Sequence, residues 1–519
     1  MNRTITLFTI FLLVNTINTE AQIVSKRYNH WYMGLPNQNV HLNFSNDTVT
    51  VTNDFQIGGG EDIATISDKY GRFLFGSDGR TVFNICGDTM LNGAGLDGNS
   101  SATDGALITP FIGPGEDSLY YLFSEIATCL GCPGLLTYSI VDVYGDNCRG
   151  EVIFKNDTLL SPDGSEKLTA TKHANGTDYW VITRSSVGKN FYSYLVSNSG
   201  LNKTPVTSFL PATTSVDSGA YWGEMKASPD GSMLASGFVI GGLDNNFVPP
   251  LLGGFVELAY FNKATGKVDS AKIISSFSYF PGIGAGFTSQ DNVYGVEFSP
   301  DGKYLYASVG SNSILGGVGF GAVYRYDVTS PNPQATETLI ANVDVGGMQL
   351  GPDGKIYTSG FGGSGGNISV FNTPNDTNPG LVLGAITTPF SLNEGSPNTF
   401  YYYTNEDTSL TPPIDDLPYA GLLDSIFIDT CIGQTIQLGI PTEPCREYAW
   451  TPAYGLDDST LAQPTASKPN TYIVNVDYKC NYSDTVVLWT VDTLVAGTSN
   501  DTSICFGQTI ALLASGGLT

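Results

Sequence analysis

The sequence predicts an all-β protein, in which a β-propeller of about seven blades is followed by Ig-like β-sandwich repeats. The first observation is composition: 61 Gly and 27 Pro in 519 residues supply many turns, and only 14% of the residues are charged, roughly half the usual share in soluble domains. The second is a turn tetrad that recurs through most of the chain, and the third is a cysteine-containing segment that recurs near its end. Because 41% of the residues are hydrophobic, the chain can bury a core, which argues against disorder.

Residues 1–21 have the pattern of a signal peptide. Arg3 precedes an apolar stretch over residues 5–14, and Thr19-Glu20-Ala21 offers a small-residue cleavage site, as signal peptides do. The apolar stretch is too short to span a bilayer, and no later run of about 18 uncharged apolar residues predicts a transmembrane segment. We therefore expect export through the periplasm, so that the protein is secreted or held at the cell surface.

Residues 22–415 are predicted to form the propeller because a turn motif recurs there. The copies are Ser-Pro-Asp-Gly at 161–164, 228–231 and 299–302, Gly-Pro-Asp-Gly at 351–354, and looser versions at 67–71 and 113–117. Pro sets φ for the first turn position, Asp caps the turn through its carboxylate, and Gly takes the position with positive φ. Since a short apolar run follows each copy, each is expected to be a hairpin turn.

The spacing of these turns sets the expected number of blades. Intervals of roughly 40–50 residues are typical of propeller blades, and the longer intervals indicate inserted loops or a blade that lacks the tetrad. Residues 179–183 are expected to belong to such an unmarked blade, which makes seven. A strand near residues 400–403 is expected to pair with N-terminal strands and seal the ring. The turn residues could instead bind Ca²⁺, but no copy has the D-x-D-x-D-G spacing of a calcium loop.

A second kind of repeat follows a polar linker at residues 405–418. The segment at 429–438 recurs at 501–512. The first copy is assigned to an Ig-like domain over residues 416–496, and the second copy begins a truncated domain over residues 497–519. Because so short a second copy cannot close a sandwich, we expect the chain to be a fragment of a longer protein.

The spacing of Cys431, Trp450 and Cys480 is the basis for the Ig-like assignment. Disulfides persist in the compartment to which the protein is expected to be exported. We prefer a Cys431–Cys480 disulfide, with Cys445 as an alternative partner or a free thiol.

Four further cysteines lie early in the chain, and Cys129 and Cys148 are the disulfide candidates among them. The pair Cys129-x-x-Cys132 could instead serve as a redox or zinc pair. Zinc would need two more ligands, and the nearest histidine is His173.

Net charge narrows the range of partners. Lys and Arg number 23 against 49 Asp and Glu, which gives a net charge of −26. Such a chain lacks the basic patch that nucleic-acid binding requires, and anionic membrane surfaces repel it. The charge is explained as a means of keeping an extracellular β protein soluble, with acid-rich Ca²⁺ sites as the alternative.

Three segments carry a resemblance to a known group of proteins. Residues 29–34 (NHWYMG), 103–108 (TDGALI) and 167–181 (KLTATKHANGTDYWV) resemble exported surface proteins of Bacteroidetes. Those proteins have an N-terminal propeller, then PKD-like or Ig-like repeats, then a gliding-motility-associated C-terminal domain for type IX secretion. The resemblance implies a surface location and this architecture, with the secretion machinery as a partner if a sorting domain lies beyond Thr519. No sorting domain is present within the 519 residues.

No catalytic, cofactor-binding or metal-binding residue is assigned from the sequence. His30, His41 and His173 are the histidines available to a nucleophile–His arrangement, and His173 is best explained as a structural residue in a blade loop. Residues 362–366 match G-x-S-x-G, but a nucleophile elbow needs a helix after it. Residues 367–371 have the pattern of a strand instead, so the match is interpreted as a loop.

Four acids lie in strand-like runs, where acids are uncommon. They are Asp142, Glu224, Glu257 and Glu297. Glycoside hydrolysis needs two carboxyl groups at a set separation, but nothing in the sequence fixes a pair. These acids are therefore expected to face outward from alternating strands.

Aromatic residues favour ligand binding. Rings on loops, such as Tyr279, Phe280 and Phe320, can stack on sugars or fill peptide pockets, although most aromatics are expected between the blades. We expect a non-catalytic surface binding or adhesion module, with an extracellular protein or glycan as its ligand. A propeller hydrolase, lyase or lactonase acting from the channel loops is the alternative, which convergent acids or a metal at the channel would favour. A purely structural cap on a stalk of repeats is a third possibility.

Overall fold

The computed structural model describes most of the chain up to residue 388 and shorter segments after it. The described residues are 23–35, 38–44, 49–53, 57–69, 71–115, 117–126, 134–186, 189–210, 222–239, 252–281, 288–311, 321–360, 367–388, 396–399, 403–404, 425–430, 435–438, 447–468, 470–477, 483–492, 497–498 and 514–515. The expected signal peptide and linker therefore lie outside them.

The strands of the first half of the propeller form consecutive antiparallel meanders. The N-terminal strands are β1 (Ile23–Val24), β2 (His30–Leu35), β3 (Gln38–Asn43) and β4 (Thr50–Thr52), with a 3-10 turn over Lys26–Tyr28. The next two meanders contain β5 (Ala64–Ser67), β6 (Phe73–Ser77), β7 (Thr81–Phe83), β8 (Thr89–Ala94), β9 (Ala106–Pro110), β10 (Leu119–Glu125), β11 (Leu136–Asp142), the short helix α1 (Gly145–Cys148) and β12 (Glu151–Leu160). The following meander contains β13 (Gly164–Lys172), β14 (Tyr179–Ser185), β15 (Asn190–Ser197), β16 (Gly200–Leu201) and β17 (Val206–Phe209).

The second half repeats the same plan. Its first two meanders contain β18 (Met225–Ala227), β19 (Met233–Phe238), β20 (Leu252–Asn262), β21 (Lys267–Pro281), β22 (Thr288–Phe298), β23 (Tyr304–Ser311), β24 (Ala322–Asp327), a 3-10 turn over Pro333–Thr336 and β25 (Thr338–Ala341). The last contains β26 (Val345–Leu350), β27 (Ile356–Gly360), β28 (Asn367–Phe371) and β29 (Leu381–Thr387), and β30 (Tyr403–Thr404) follows it.

These meanders are arranged as a β-propeller. The first strands contact one another in succession, in the order β2, β5, β9, β13, β18, β22 and β26. Trp31 and Val40 of the first sheet pack in one core cluster with Tyr357 and Ile368 of the last, so the succession returns to its start. A closed ring of this kind protects the sheet edges. The two ends of the propeller region meet as expected, because β30 pairs antiparallel with β1.

The prediction of about seven blades differs from the sheets that form among the described residues. Hydrogen bonding joins β2–β29 into five sheets of eight, five, eight, four and three strands, and β1 and β30 form a separate two-stranded sheet. The number is lower because neighbouring meanders are linked. The outer strands β8 and β12 pair in parallel at Leu91 and Glu151, and β21 runs on into a hairpin with β22.

Three of the four tetrads form the predicted hairpin turns, each between the first and second strands of a meander. The N–H of Gly231 donates to the Ser228 carbonyl at 2.7 Å, and that of Gly302 donates to the Ser299 carbonyl at 2.8 Å. The φ angles of these glycines are +71° and +69°, which glycine adopts without steric cost. The tetrad at 161–164 is an exception, because it connects β12 to β13 rather than two paired strands. The hairpin turn of that meander lies at residues 173–178.

First strands of the propeller are buried on both faces. All residues of β5, β9 and β26 are buried, as are eight of the nine in β13. Neighbouring first strands cover both faces as they pack around the axis, so the usual alternation of buried and exposed residues is lost.

The C-terminal region contains a smaller β structure. Its strands are β31 (Ser425–Thr430), β32 (Ile436–Gln437), β33 (Glu447–Thr451), β34 (Thr465–Ala466), β35 (Thr471–Asp477), β36 (Ser483–Asp492), β37 (Gly497–Thr498) and β38 (Ala514–Ser515). One sheet has the order β31-β36-β35-β33, and β32 pairs with β34 in another. Trp450 and Tyr472 are buried in its core with Leu438, and the Tyr472 hydroxyl donates to the Lys468 carbonyl at 2.8 Å.

Two cysteines are disulfide-bonded in the described residues. They are Cys148, one of the predicted candidates, and Cys86, which the sequence did not single out. The other candidates, Cys129, Cys431 and Cys480, lie outside the described residues. No helix in the described part of the chain is long and apolar enough to cross a membrane.

Candidate functional site

Charged side chains converge at the middle of the propeller, where the first strands meet. They form the central network, whose members are each no more than 3% exposed: Asp62, Asp104, Glu125, Glu166, Lys167, Arg184, Glu224, Lys226, Glu257 and Glu297. Charged groups are almost never fully buried unless they are paired or hydrogen-bonded, so the partners of each group decide its role.

Two aspartates hold together strands of different meanders. Asp62 lies just before β5, and its carboxylate accepts hydrogen bonds from the backbone N–H of Ala106 and of Asn398, both at 2.8 Å. Asp104 lies just before β9 and accepts from the N–H of Met225 at 2.8 Å. Each carboxylate thereby satisfies backbone donors that the strand ladders leave unpaired.

Two glutamates do the same on the other side of the ring. Glu224 accepts from the N–H of Val296 at 3.1 Å and of Met348 at 3.0 Å. Glu297 accepts from the N–H of Leu350 at 2.8 Å. These bonds connect the segment before β18 with β22 and β26, so the two acids link three meanders.

Lys167 is the cation at the centre of the network. Its ammonium group donates to the carbonyls of Trp222 at 2.9 Å and of Gly223 and Gly237, each at 2.6 Å. The ammonium also lies 4.5 Å from the centroid of the Phe238 ring. Three carbonyl acceptors use all three donors of a charged lysine.

Arg184 and Lys226 neutralise other acids. The Arg184 guanidinium is paired with the carboxylate of Glu257, and both side chains are 1% exposed. The Lys226 ammonium donates to the Gln349 side chain at 2.9 Å and lies 4.0 Å from the Glu224 carboxylate. Pairing of this kind is what allows the charges to be buried.

Burial changes the protonation of the network. Desolvation raises the pKa of Asp104 to about 7, although the nearby Lys226 ammonium lowers it. Desolvation likewise raises the pKa of Glu297 to about 8 and lowers the pKa of Lys167 to about 7. The pKa of Asp62 is raised for the same reason. Several of these groups therefore exchange protons near neutral pH.

A short segment of chain, residues 396–399, runs through the network. All four residues are buried. The Ser396 hydroxyl donates to Glu224 at 2.5 Å, and the Asn398 side-chain amide donates to the Leu168 carbonyl at 3.0 Å. The segment is thus hydrogen-bonded to β13 and to the residues just before β18 and β5, and it lies among the side chains of the central network.

Glu61 lies at the margin of the network and is partly exposed. Its carboxylate accepts hydrogen bonds from the hydroxyls of Tyr294 and Ser101, both at 2.9 Å. Burial raises its pKa, and the two hydroxyls lower it. Since Tyr294 lies in β22 and Glu61 precedes β5, this bond joins meanders that are far apart in the chain.

The acids that the sequence singled out are placed differently from the prediction. Glu224, Glu257 and Glu297 were expected to face outward, which is wrong: all three are buried in the central network. The expectation failed because the residues on both sides of each acid are buried as well, so no face of the chain there is turned to solvent. Asp142 is only partly exposed, and its carboxylate accepts from the Tyr144 N–H at 3.0 Å.

Each of the three histidines has a hydrogen-bonding partner among the described residues. His30 and His41 are buried, and their rings are joined by a hydrogen bond of 2.8 Å. His173 lies in the turn before β14, where its Nδ1 accepts from the Asn175 N–H at 3.0 Å. The three are therefore divided between two places, neither of which is the central network. Tyr279 and Phe280 lie in β21 with side chains that are not described, and residues 320 and 361–366 lie outside the described residues.

Sequence reasoning missed the remaining members of the network. Asp62 and Asp104 each stand two residues before an alanine that opens a buried strand. This repeated acid-x-Ala pattern was a usable signal. Lys167 entered the sequence analysis only as the first residue of the segment 167–181, because nothing in the local sequence distinguishes a buried lysine from an exposed one. Within the described residues, no three His, Cys, Asp or Glu side chains are grouped closely enough to hold a metal ion.

No family model and no curated protein matches the chain. Among solved structures, the chain is similar to a protein from Lactobacillus plantarum, at 14% identity and a TM-score of 0.38, over 72% of this chain and 98% of the other. It is also similar to a periplasmic gluconolactonase from Pseudomonas aeruginosa, at 14% identity and a TM-score of 0.27, over 62% and 93% of the two chains. An α-L-arabinofuranosidase from Lactobacillus brevis matches at 10% identity and a TM-score of 0.25, over 57% and 95%. At such identities no activity can be carried over.

Proposed function

We propose that the protein is a non-catalytic surface module that binds an extracellular protein or a glycan. The observation that supports this best is the state of the central carboxylates. Asp62, Asp104, Glu224 and Glu297 are buried and accept hydrogen bonds from the backbone of other meanders. Carboxylates used in this way stabilise the ring and do not reach a substrate, so the propeller serves as a rigid support for its loops.

The finer architecture is part of the proposal. Each antiparallel meander would act as one blade, with β2–β4 as the blade at which the ring closes. The C-terminal strands would form an Ig-like or PKD-like domain, for which the buried Trp450 and the bond from the Tyr472 hydroxyl to a carbonyl are supporting features. Export, attachment to the cell surface and a link to gliding motility follow from the resemblance of the sequence to exported Bacteroidetes proteins.

A binding experiment with the full chain tests the proposal. The labelled protein would be applied to arrays of glycans and of extracellular proteins, and each ligand would then be examined by mass spectrometry. We expect saturable binding with the ligand recovered unchanged. Failure to bind any ligand above background, or recovery of a cleaved ligand, would contradict it.

Glu61 supports a second candidate function, that of a propeller hydrolase, lyase or lactonase. It is a partly exposed carboxyl group with a raised pKa, as a general acid requires. If the array experiment yields a cleaved ligand, Glu61→Gln should abolish cleavage while the ligand still binds. Full activity of that variant would remove Glu61 from consideration.

A further inference from the structure

Buried acids outnumber buried cations in the central network. The acids are Asp62, Asp104, Glu125, Glu166, Glu224, Glu257 and Glu297, whereas the cations are Lys167, Arg184 and Lys226. If all of these groups were ionised, the middle of the ring would carry a large uncompensated negative charge. Burying unpaired charge is more costly than shifting a protonation equilibrium, so some of the acids must be neutral.

Glu125 is the acid least suited to carry a charge. It is the last residue of β10 and is 0% exposed. One carboxyl oxygen accepts a hydrogen bond from the Thr183 hydroxyl at 2.7 Å. The other oxygen is buried without a hydrogen-bond partner among the described residues. By contrast, Glu297 has a backbone donor on each of its two oxygens.

The charged groups that face Glu125 do not compensate for the missing hydrogen bond to its second oxygen. Asp104, from the segment before β9, and Glu166, from β13, both disfavour a charge on it, and Lys167 of β13 favours one. The Lys167 ammonium is already bonded to three carbonyls. Desolvation is the main cause that raises the pKa of Glu125, and the Thr183 hydroxyl lowers it.

We propose that Glu125 holds a proton at neutral pH, and that this proton is a structural ligand which keeps the propeller ring closed. The neutral carboxyl group still accepts the hydrogen bond from the Thr183 hydroxyl, and it removes one negative charge from the surroundings of Asp104 and Glu166. When the pH rises far enough to remove the proton, a buried carboxylate is left near Asp104 and Glu166, and the repulsion among the three acids destabilises the ring. The propeller is therefore a device that loosens in alkaline surroundings.

The sign of the pH dependence follows from which state holds the proton. In the unfolded chain Glu125 loses its proton near pH ~4.3, whereas the folded chain keeps it to higher pH. Stability is then highest in mild acid and falls as the pH rises, by up to about tenfold in the folding equilibrium per pH unit until the folded group also ionises.

Infrared spectroscopy of the full chain in D₂O tests the proposal directly. A protonated carboxyl group has a carbonyl stretch that is distinct from the bands of a carboxylate. We expect such a band at pH 7 in the wild-type protein, and we expect Glu125→Gln to lose part of it. Absence of the band in the wild type, or a band of full strength in Glu125→Gln, would overturn the proposal.

Two further variants separate the proton from a general effect on folding. Thr183→Val removes the hydroxyl that favours ionisation, so the band should persist to higher pH than in the wild type, and disappearance at lower pH would contradict the proposal. Asp269→Asn changes an exposed acid of β21 and should leave the band unchanged. Unfolding midpoints measured from pH 5 to pH 9 should fall less steeply for Glu125→Gln than for Asp269→Asn. Equal slopes would overturn the structural role of the proton.

Discussion

Replacement of Arg184 by methionine tests whether the central network stabilises the ring. The Arg184 guanidinium is paired with Glu257, with both side chains 1% exposed, and it lies 4.2 Å from the centroid of the Phe191 ring. Arg184→Met keeps the apolar packing but leaves Glu257 buried without its cation. Breaking one partner of a buried pair costs about 3–5 kcal/mol of unfolding free energy. We expect a loss of that size in urea denaturation followed by tryptophan fluorescence.

The structure offers a matched control for this prediction. Lys203 and Asp157 form an ion pair of 2.6 Å whose side chains are 52% and 28% exposed. Exposed pairs contribute about 0–1 kcal/mol, so Lys203→Met should have little effect. The double variant Arg184→Met/Glu257→Leu removes both charges and should recover most of the loss, because a hydrophobic pair can replace a buried ion pair. If Arg184→Met costs no more than Lys203→Met, the network does not stabilise the ring in the way described.

The remaining predictions concern the hairpin turns, the central network and the C-terminal strands. Gly176→Ala should lower the unfolding free energy by about 1–2 kcal/mol, because φ is +80° at Gly176 and the space around an added Cβ atom is open. Gly231→Ala should lower it clearly more in the same denaturation assay, since its Cβ atom would lie 2.1 Å from Thr171 Oγ1. Equal losses for the two variants would contradict the turn packing. The pKa of Glu297 is raised to about 8 in the folded protein, whereas a glutamate in the unfolded chain loses its proton near pH ~4.3. Because the folded state keeps this proton to higher pH, wild-type stability should fall between pH 5 and pH 8. Glu297→Gln cannot ionise and should show a flatter profile of unfolding midpoint against pH, and parallel profiles would refute this. Tyr472→Phe should lower the unfolding free energy of the C-terminal domain by about 1 kcal/mol by removing a bond to a main-chain carbonyl, and an unchanged midpoint would count against that bond.

Local sequence was a good guide to the turns and a poorer guide to which strands they connect. The tetrads at 228–231 and 299–302 are hairpin turns as predicted, because Pro, Asp and Gly specify the backbone there whatever lies around them. The identical tetrad at 161–164 joins β12 to β13. Turn chemistry reverses the chain, but the pairing of the flanking strands is decided by contacts that are distant in sequence.

The candidate site was the least predictable part for a similar reason. Glu224 and Glu297 were noticed as unusual acids, yet their backbone partners Met348 and Leu350 are far along the chain. The assumption that a strand acid faces solvent holds for sheets with one exposed face. It fails for strands that the ring covers on both sides.

Hydrogen exchange of backbone amides in the full chain tests most directly whether the middle of the propeller is closed by buried carboxylates. The N–H groups of Met225, Leu350 and Asn398 donate to Asp104, Glu297 and Asp62. We expect these amides to exchange as slowly as those within the buried strands. Exchange as fast as in the exposed turn at residues 174–177 would show that the centre is open to water and would contradict the account.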